Sequence, residues 1–282
     1  MADTTFEPTG SAEPRGSKRR DHAGPTSWRL ERGLGQVSFT RSAELSVFSE
    51  TRSARMSAPH AHPAWTLLLP VDGGTVTVVA GDTVRVHNDG VLLAPQTRYR
   101  AAADGPHAAV YAHAWRWARP ESLRPRKLGA GSARRVLDAL DIDNRTDVSA
   151  AVTELTPMVG RVGQMDSRLA FVVEGLPAAD RLDVLAGDVG ISPSRLRSIT
   201  HEQIGVPLTQ LRLWSRLARA ILWLPYGPTA AAAAAVAGFA DQAHFTRTAR
   251  QFLGRTPGAL SLHSLAHQPP NHHQHTEPRR VA

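Results

Sequence analysis

Apolar residues along this chain follow two different periods, and the change falls near residue 120. Between residues 44 and 117 they come in short runs: Leu67-Leu68-Leu69, then 75–79, 83–86, 91–94 and 108–117. Asp72-Gly73-Gly74, Gly81-Asp82 and Asp89-Gly90 separate them, and such pairs turn a chain because glycine tolerates positive φ while aspartate bonds to nearby backbone. Strands at this spacing predict a sandwich or small barrel. Pro120 and Pro125 end the region. Residues 132–142 and 148–162 then carry apolar side chains at helical spacing, and such helices either dock on a barrel or meet a partner subunit. Further on, 208–224 reads as one long helix with Leu211, Leu217, Ile221 and Leu224 on its apolar side, spanning roughly 26 Å at about 1.5 Å per residue. Pro225 and Pro228 break it, and Thr229 is placed to cap an alanine-rich helix over 230–235.

A second pattern occurs twice. Residues 186–196 read AGDVGISPSRL and residues 234–245 read AAVAGFADQAHF. In each, an apolar helical run meets a glycine (Gly190, Gly238), then an apolar residue, two polar turn residues and a second amphipathic helix. This is the layout of a helix-turn-helix, whose second helix lies in the DNA major groove. On a helical wheel Leu196 and Ile199 fall on one side, while Ser194, Arg197, Ser198 and His201 fall opposite, with Arg195 on the flank. In the second copy Phe245, Ala249 and Phe252 form the buried stripe, and His244, Arg247, Arg250 and Gln251 face away. An ordinary solvated helix face also carries Arg and Ser; the duplication argues for DNA.

At these residues the chain resembles the AraC/XylS family of bacterial transcription regulators. The resemblance covers 166–262 and rests on Ala186, Gly190, Ser192, Leu196, Gly205, Arg216, Arg219-Ala220, Gly238-Phe239, Asp241-Gln242, Phe245 and Gly254-x-Thr256-Pro257. It implies an α+β multidomain protein: an N-terminal cupin-like β-barrel, then an all-α domain with two helix-turn-helix subdomains joined by a long helix. The domains expected are a disordered tail over 1–26, a cupin-like sensor over 40–120, a helical connector over 121–165 that leaves dimerisation open, the DNA-binding domain over 166–262, and a disordered His-rich tail over 263–282. Carried over by motif position and helix face, the DNA-binding residues are Ser194, Arg195, Arg197 and Ser198 in the first subdomain, and Gln242, His244, Arg247 and Arg250 in the second. Gln242 lies on the flank of its wheel and suits a phosphate contact better than a base. The family pattern is broken at Ala233 and Ala249, where larger apolar residues are usual. Each exchange costs about 2–4 kcal/mol unless neighbours close in, which predicts a loosely packed second subdomain. Ile199-Thr200 also replaces a frequent Phe-Lys.

Charge changes this picture little. The 282 residues carry 33 Lys and Arg against 25 acids, a net charge of +8 that suits a polyanion. Residues 166–262 hold ten Arg against seven acids, so charge alone does not establish DNA binding. With no cysteine there is neither a disulfide framework nor a thiolate metal site. No 18-residue apolar stretch and no signal-peptide core occur, so a cytoplasmic protein without a membrane partner is expected. Lys18-Arg19-Arg20 and the cluster His272, His273 and His275 lie in tails read as disordered.

His60-Ala61-His62 precedes a strand, and Gly81-Asp82, Pro95 and Tyr99 follow at intervals similar to a cupin. Histidines at i and i+2 on a strand share a side and suit a metal. The acid and later histidine of enzymatic cupins are absent; Pro63, Ala64, Trp65 and Thr66 follow His62, and Arg98 stands at the later position. The expected role is therefore no catalysis, no cofactor and no metal, with His60, His62 and Arg98 at an effector-binding barrel mouth. Arg98 suits an organic carboxylate, or else pairs with Asp82 or Asp104. The reading reached is a sequence-specific regulator that binds double-stranded DNA, answers a small organic effector, and engages RNA polymerase if it activates. The alternative is a cupin metalloenzyme with an accessory helical domain.

Overall fold

The computed structural model describes residues 26–32, 35–141, 146–176, 181–225 and 229–260. The basic cluster near residue 19 and the histidine cluster near residue 273 lie outside these. Ten strands come first: β1 (Thr26–Arg32), β2 (Gly35–Arg41), β3 (Leu45–Glu50), β4 (Ala64–Pro70), β5 (Val76–Ala80), β6 (Thr83–His87), β7 (Val91–Leu93), β8 (Arg100–Ala103), β9 (His107–His113) and β10 (Arg126–Lys127). Nine helices follow among the described residues: α1 (Ala130–Leu140), α2 (Val148–Val159), α3 (Ser167–Gly175), α4 (Leu182–Asp188), α5 (Pro193–Gln203), α6 (Leu208–Trp223), α7 (Ala230–Val236), α8 (Gln242–Leu253) and α9 (Pro257–Leu260).

The strands form an antiparallel sheet in the order β1-β2-β3-β9-β4-β7-β10 and a smaller one in the order β6-β5-β8. Together they make the cupin-like β-domain. It starts at Thr26, ahead of the boundary expected at 40. In β1 and β2 only Trp28, Val37 and Phe39 are buried hydrophobics, interrupted by polar residues, and so sparse an alternation did not stand out. In contrast, β4 is buried at all seven positions because both faces are covered. Trp65, Leu67 and Leu69 pack with Val136, Leu140, Leu155 and Val159 of α1 and α2, while Leu68 packs with Val76, Val78 and Tyr99 toward the smaller sheet. Of the two uses left open for the connector helices, docking on the sheet is the one this cluster displays.

Helices α3, α4 and α5 close around Leu169, Val172, Leu185, Ala186, Leu196 and Ile199. The turn glycines behave as the sequence required, with φ of +67° at Gly190 and +79° at Gly238. Ser192 caps α5 by accepting from Arg195 N, Thr229 caps α7 from Ala232 N, and Asp241 caps α8 from His244 N. The second subdomain does not close on itself. Trp28, Val37 and Phe39 of β1 and β2 join Trp214, Phe239, Phe245, Ala249 and Phe252 in one apolar cluster, and Trp28 Nε1 donates to the Ile221 carbonyl at 3.1 Å. Ala249 is thus fully buried in a core that the β-domain helps to fill. Among the described residues no helix is long and apolar enough to cross a membrane.

Candidate nucleic-acid interface and interdomain cavity

On α5, Ser194, Arg195, Arg197 and Ser198 are all exposed, while Leu196, Ile199 and Thr200 are buried. Two of the four engage an acid on the same helix: Ser198 Oγ donates to Glu202 at 2.7 Å, and the Arg195 guanidinium lies 3.9 Å from it. Sequence reasoning passed over Glu202, although i+4 and i+7 spacing on one face was there to be read. On α8, Gln242, Arg247 and Arg250 are exposed, whereas His244 is half-buried with its ring edge-on to Phe239, 5.2 Å between centroids. The pair of helices therefore offers solvent a row of guanidinium, hydroxyl and amide groups.

The β-domain holds the C-terminal ends of both helices. After α5, Gly205 has φ +76° and lies against the Arg119 side chain, whose guanidinium donates to the Glu202 carbonyl at 3.5 Å. After α8, Gly254 has φ +64° and accepts on its carbonyl from Ala58 N at 3.1 Å; Ala61 N donates to the Gln251 carbonyl at 3.3 Å. Gln96 and Gln210 add a side-chain bond of 2.6 Å between β-domain and α6.

Between these contacts lies a cavity with about 870 Å³ of empty space, its open mouth included. Phe39, Phe48, Leu68, Val76 and Tyr111 line it from the two sheets, Trp214, Leu217, Ala218 and Ile221 from α6, and Leu253 and Arg255 from the end of α8 and beyond. Its wall is mostly apolar, with Ser46, Ser57, His60, Tyr99, His107 and Arg255 among its few polar members, which is the usual make-up of a small-molecule site. Of the residues expected there, His60 lines the cavity. His62 sits just behind, its Nε2 3.0 Å from the Tyr99 hydroxyl and its ring 5.4 Å from that of Trp214. Arg98 does not line it: pairing of His60 with Tyr99 turns the Tyr99 side chain toward the histidines, and alternation along the strand leaves Arg98 exposed. Asp104, proposed as an alternative partner, accepts instead from Thr75 N and Oγ1. The cation on the wall is Arg255, which no local sequence pattern marked because it lies in the DNA-domain motif.

Arg255 pairs with Glu50 at 3.4 Å, and His107 Nε2 lies 4.0 Å from the same carboxylate oxygen. Among the described residues no group of three or more His, Asp or Glu is arranged to hold a metal ion. His60 Nδ1 donates to the Ala58 carbonyl at 2.9 Å, and the His62 nitrogens face Tyr99 and Thr66. Burial keeps these rings neutral: His60 is lowered to about 4, and His62 and His113 to about 3. An unfolded histidine takes up its proton near 6.5, so the unfolded chain binds more protons across this window. Stability must therefore fall as pH drops below 6.5 and continue falling to about 4 for His60 and 3 for the other two. Between pH 7 and 5 the expected loss is on the order of 2 kcal/mol per histidine. Denaturant titrations at the two pH values check this, and His113→Gln should flatten the dependence. An unchanged midpoint would contradict it.

Residues 185–261 match the family model described as a helix-turn-helix domain. Comparison with curated proteins gives no significant match. Among solved structures, a single-residue variant of apo ToxT from Vibrio cholerae strain SCE256 is similar at 10% identity and a TM-score of 0.52, over 78% of this chain and 97% of that one. Wild-type ToxT of the same strain, with unsaturated fatty acid bound, gives 11% identity and a TM-score of 0.49 over 82% and 96% of the two chains. An RmlC-like cupin from Shewanella frigidimarina gives 15% identity and a TM-score of 0.26 over 30% of this chain and 83% of that one. The chain thus carries a C-terminal helix-turn-helix domain, with two glycine-turned, capped units, behind a cupin-like β-domain, and its fold is similar to that of ToxT.

Proposed function

We propose that this protein is a sequence-specific transcription regulator that binds double-stranded DNA through α5 and α8 and answers a small organic molecule held in the interdomain cavity. One observation carries the reading: the wall of the cavity includes Leu253 and Arg255, so whatever fills it touches the end of the second recognition helix. Arg197 and Arg247 are the leading base readers, both being exposed on the outer faces of their helices. Ser194, Arg195, Ser198, His244 and Arg250 support them, and Gln242 at the start of α8 suits phosphate.

The test starts by selecting bound sites from random DNA. On a selected site, Arg197→Ala and Arg247→Ala should each weaken binding by about 1–3 kcal/mol, with much less loss on random DNA, and each should relax preference at one or two base positions. Footprints should show two protected major-groove segments on one DNA face, about 10 bp apart per monomer. Equal losses on selected and random DNA would reduce both arginines to phosphate contacts, and a single protected groove would silence one subdomain.

A further inference from the structure

Most of the chain's positive charge lies outside the helices that would read DNA. Residues 166–262 carry ten Arg against seven acids, whereas three stretches of the β-domain, 51–62, 95–101 and 117–128, together carry eight Lys and Arg against one acid, Glu121. Each of these stretches touches the helical half of the protein. Ala58 N and Ala61 N donate to the Gly254 and Gln251 carbonyls at the end of α8, Gln96 bonds Gln210 on α6, and Arg119 donates to the Glu202 carbonyl near the end of α5. Arg98 precedes Tyr99, whose backbone exchanges two bonds of 3.0 Å with His60, and the His60 ring lies against Gly254. Leu123, next to Arg124, accepts on its carbonyl from Thr97 Oγ1 at 3.2 Å. Arg55, Arg98, Arg119 and Arg124 are all exposed, and none pairs with an acid among the described residues.

We propose that the β-domain is itself part of the DNA interface: Arg55 and Arg98, beside the end of α8, and Arg119 and Arg124, beside the end of α5, hold phosphates that flank the two grooves. This rests on α5 and α8 being the readers. The spacing suits a duplex. On each helix the β-domain contact falls four residues beyond a proposed reader, from Ser198 to Glu202 and from Arg247 to Gln251, which is about 6 Å along the axis. A major groove is about 12 Å wide, so a side chain one turn past a base contact stands at the phosphate wall. Guanidinium groups suit that wall, since each can give a phosphate two parallel bonds. The acid nearest Arg119 is Glu202, which already accepts from Ser198 Oγ at 2.7 Å and faces Arg195. Contacts of this kind carry no sequence information, but they fix the register of both helices on the duplex.

The salt dependence of binding by the full-length chain, on a selected site and on random duplex, tests this. Each phosphate neutralised adds about 0.9 to the slope of log K against log salt. Combining Arg55→Gln, Arg98→Gln and Arg124→Gln should lower that slope by about 2–3 and weaken both DNAs by the same factor, at least about tenfold near 0.1 M salt. Arg134→Gln should change neither, because that exposed cation lies on α1, which covers the sheet face turned away from α6. Ethylation interference on the wild type needs no substitution. Blocking phosphates should extend beyond the two grooves, on the side where α5 and α8 end. An unchanged slope in the triple variant, or interference confined to the two grooves, would overturn the contact and leave the charge to an acidic protein surface. Specificity lost in Arg197→Ala and Arg247→Ala would then still support the readers. A wild type that binds neither DNA would remove the readers and this contact together.

Discussion

Trp214→Ala should destabilise the protein by about 3–5 kcal/mol, among the largest effects of any single truncation in the chain. Trp214 is 3% exposed, and its ring lies 5.4 Å from His62, 5.3 Å from Tyr111 and 5.9 Å from Phe252. It sits on α6, the helix that joins the two helix-turn-helix units, and meets side chains of the β-domain and of α8 at once. Removing it opens a hole at the junction of all three, and none of them can close in without moving the others. The indole Nε1 is buried with no acceptor. Trp214→Phe therefore loses ring area but also discards an unsatisfied donor, and should cost less than half as much as the alanine. Equilibrium denaturation of the two variants separates these terms. A loss below about 1 kcal/mol for Trp214→Ala would mean that α6 and the β-domain do not share a core in solution.

What the sequence displayed and what it hid follow from the range of the forces involved. The turns at Gly190 and Gly238, the caps at Thr229 and the buried stripes of α5 and α8 are set by residues within a few positions of one another. Local spacing was enough to find them. The continuous run Leu67-Leu68-Leu69 likewise betrays a strand covered on both sides. The cavity is different. Its ionisable wall residues His60, His107 and Arg255 come from the segment before β4, from β9 and from beyond α8, and no local period connects them. Motif position alone puts Arg98 at the barrel mouth. The deciding fact was strand parity, which the His60–Tyr99 pairing fixes and which one residue of register reverses. Nor could the composition of α8 show that Ala249 would be packed beside aromatic residues from β1 and β2, two hundred residues earlier in the chain.

This long-range packing makes β1 and β2 part of the foundation of α8, while the core of α3, α4 and α5 takes in only Ala114 and Trp115 from the segment just after β9. Leu253 and Arg255 connect the cavity to the end of α8, whereas the β-domain meets the first unit through Ala114 in its core and the Arg119 side chain beyond α5. If the cavity is the effector site, its occupant touches the end of α8 directly and α5 only through intervening structure.

Gly254→Ala should break that connection where it is tightest. The residue has φ +64°, a conformation that costs an alanine roughly 1 kcal/mol. Strain is the smaller part. An alanine Cβ would lie 2.5 Å from the Ala58 carbonyl oxygen, 2.6 Å from His60 Nδ1 and 2.9 Å from Ser57 Cβ, and the first of these is backbone that cannot rotate away. The segment carrying Ser57 to Ala61 must shift, losing the Ala58 N bond to the Gly254 carbonyl and disturbing His60 on the cavity wall. A total of about 3–4 kcal/mol is expected, from backbone strain, displaced contacts and a broken interdomain hydrogen bond. Gly190→Ala isolates the strain, because its φ is +67° and nothing lies within 4 Å of the added Cβ; it should cost only about 1 kcal/mol. The difference between the two variants thus measures the contact between the β-domain and the end of α8. Hydrogen exchange at Ala58 and Ala61 should quicken in Gly254→Ala and stay slow in Gly190→Ala. Similar losses in both variants, with exchange unchanged, would show that this contact does not persist in solution.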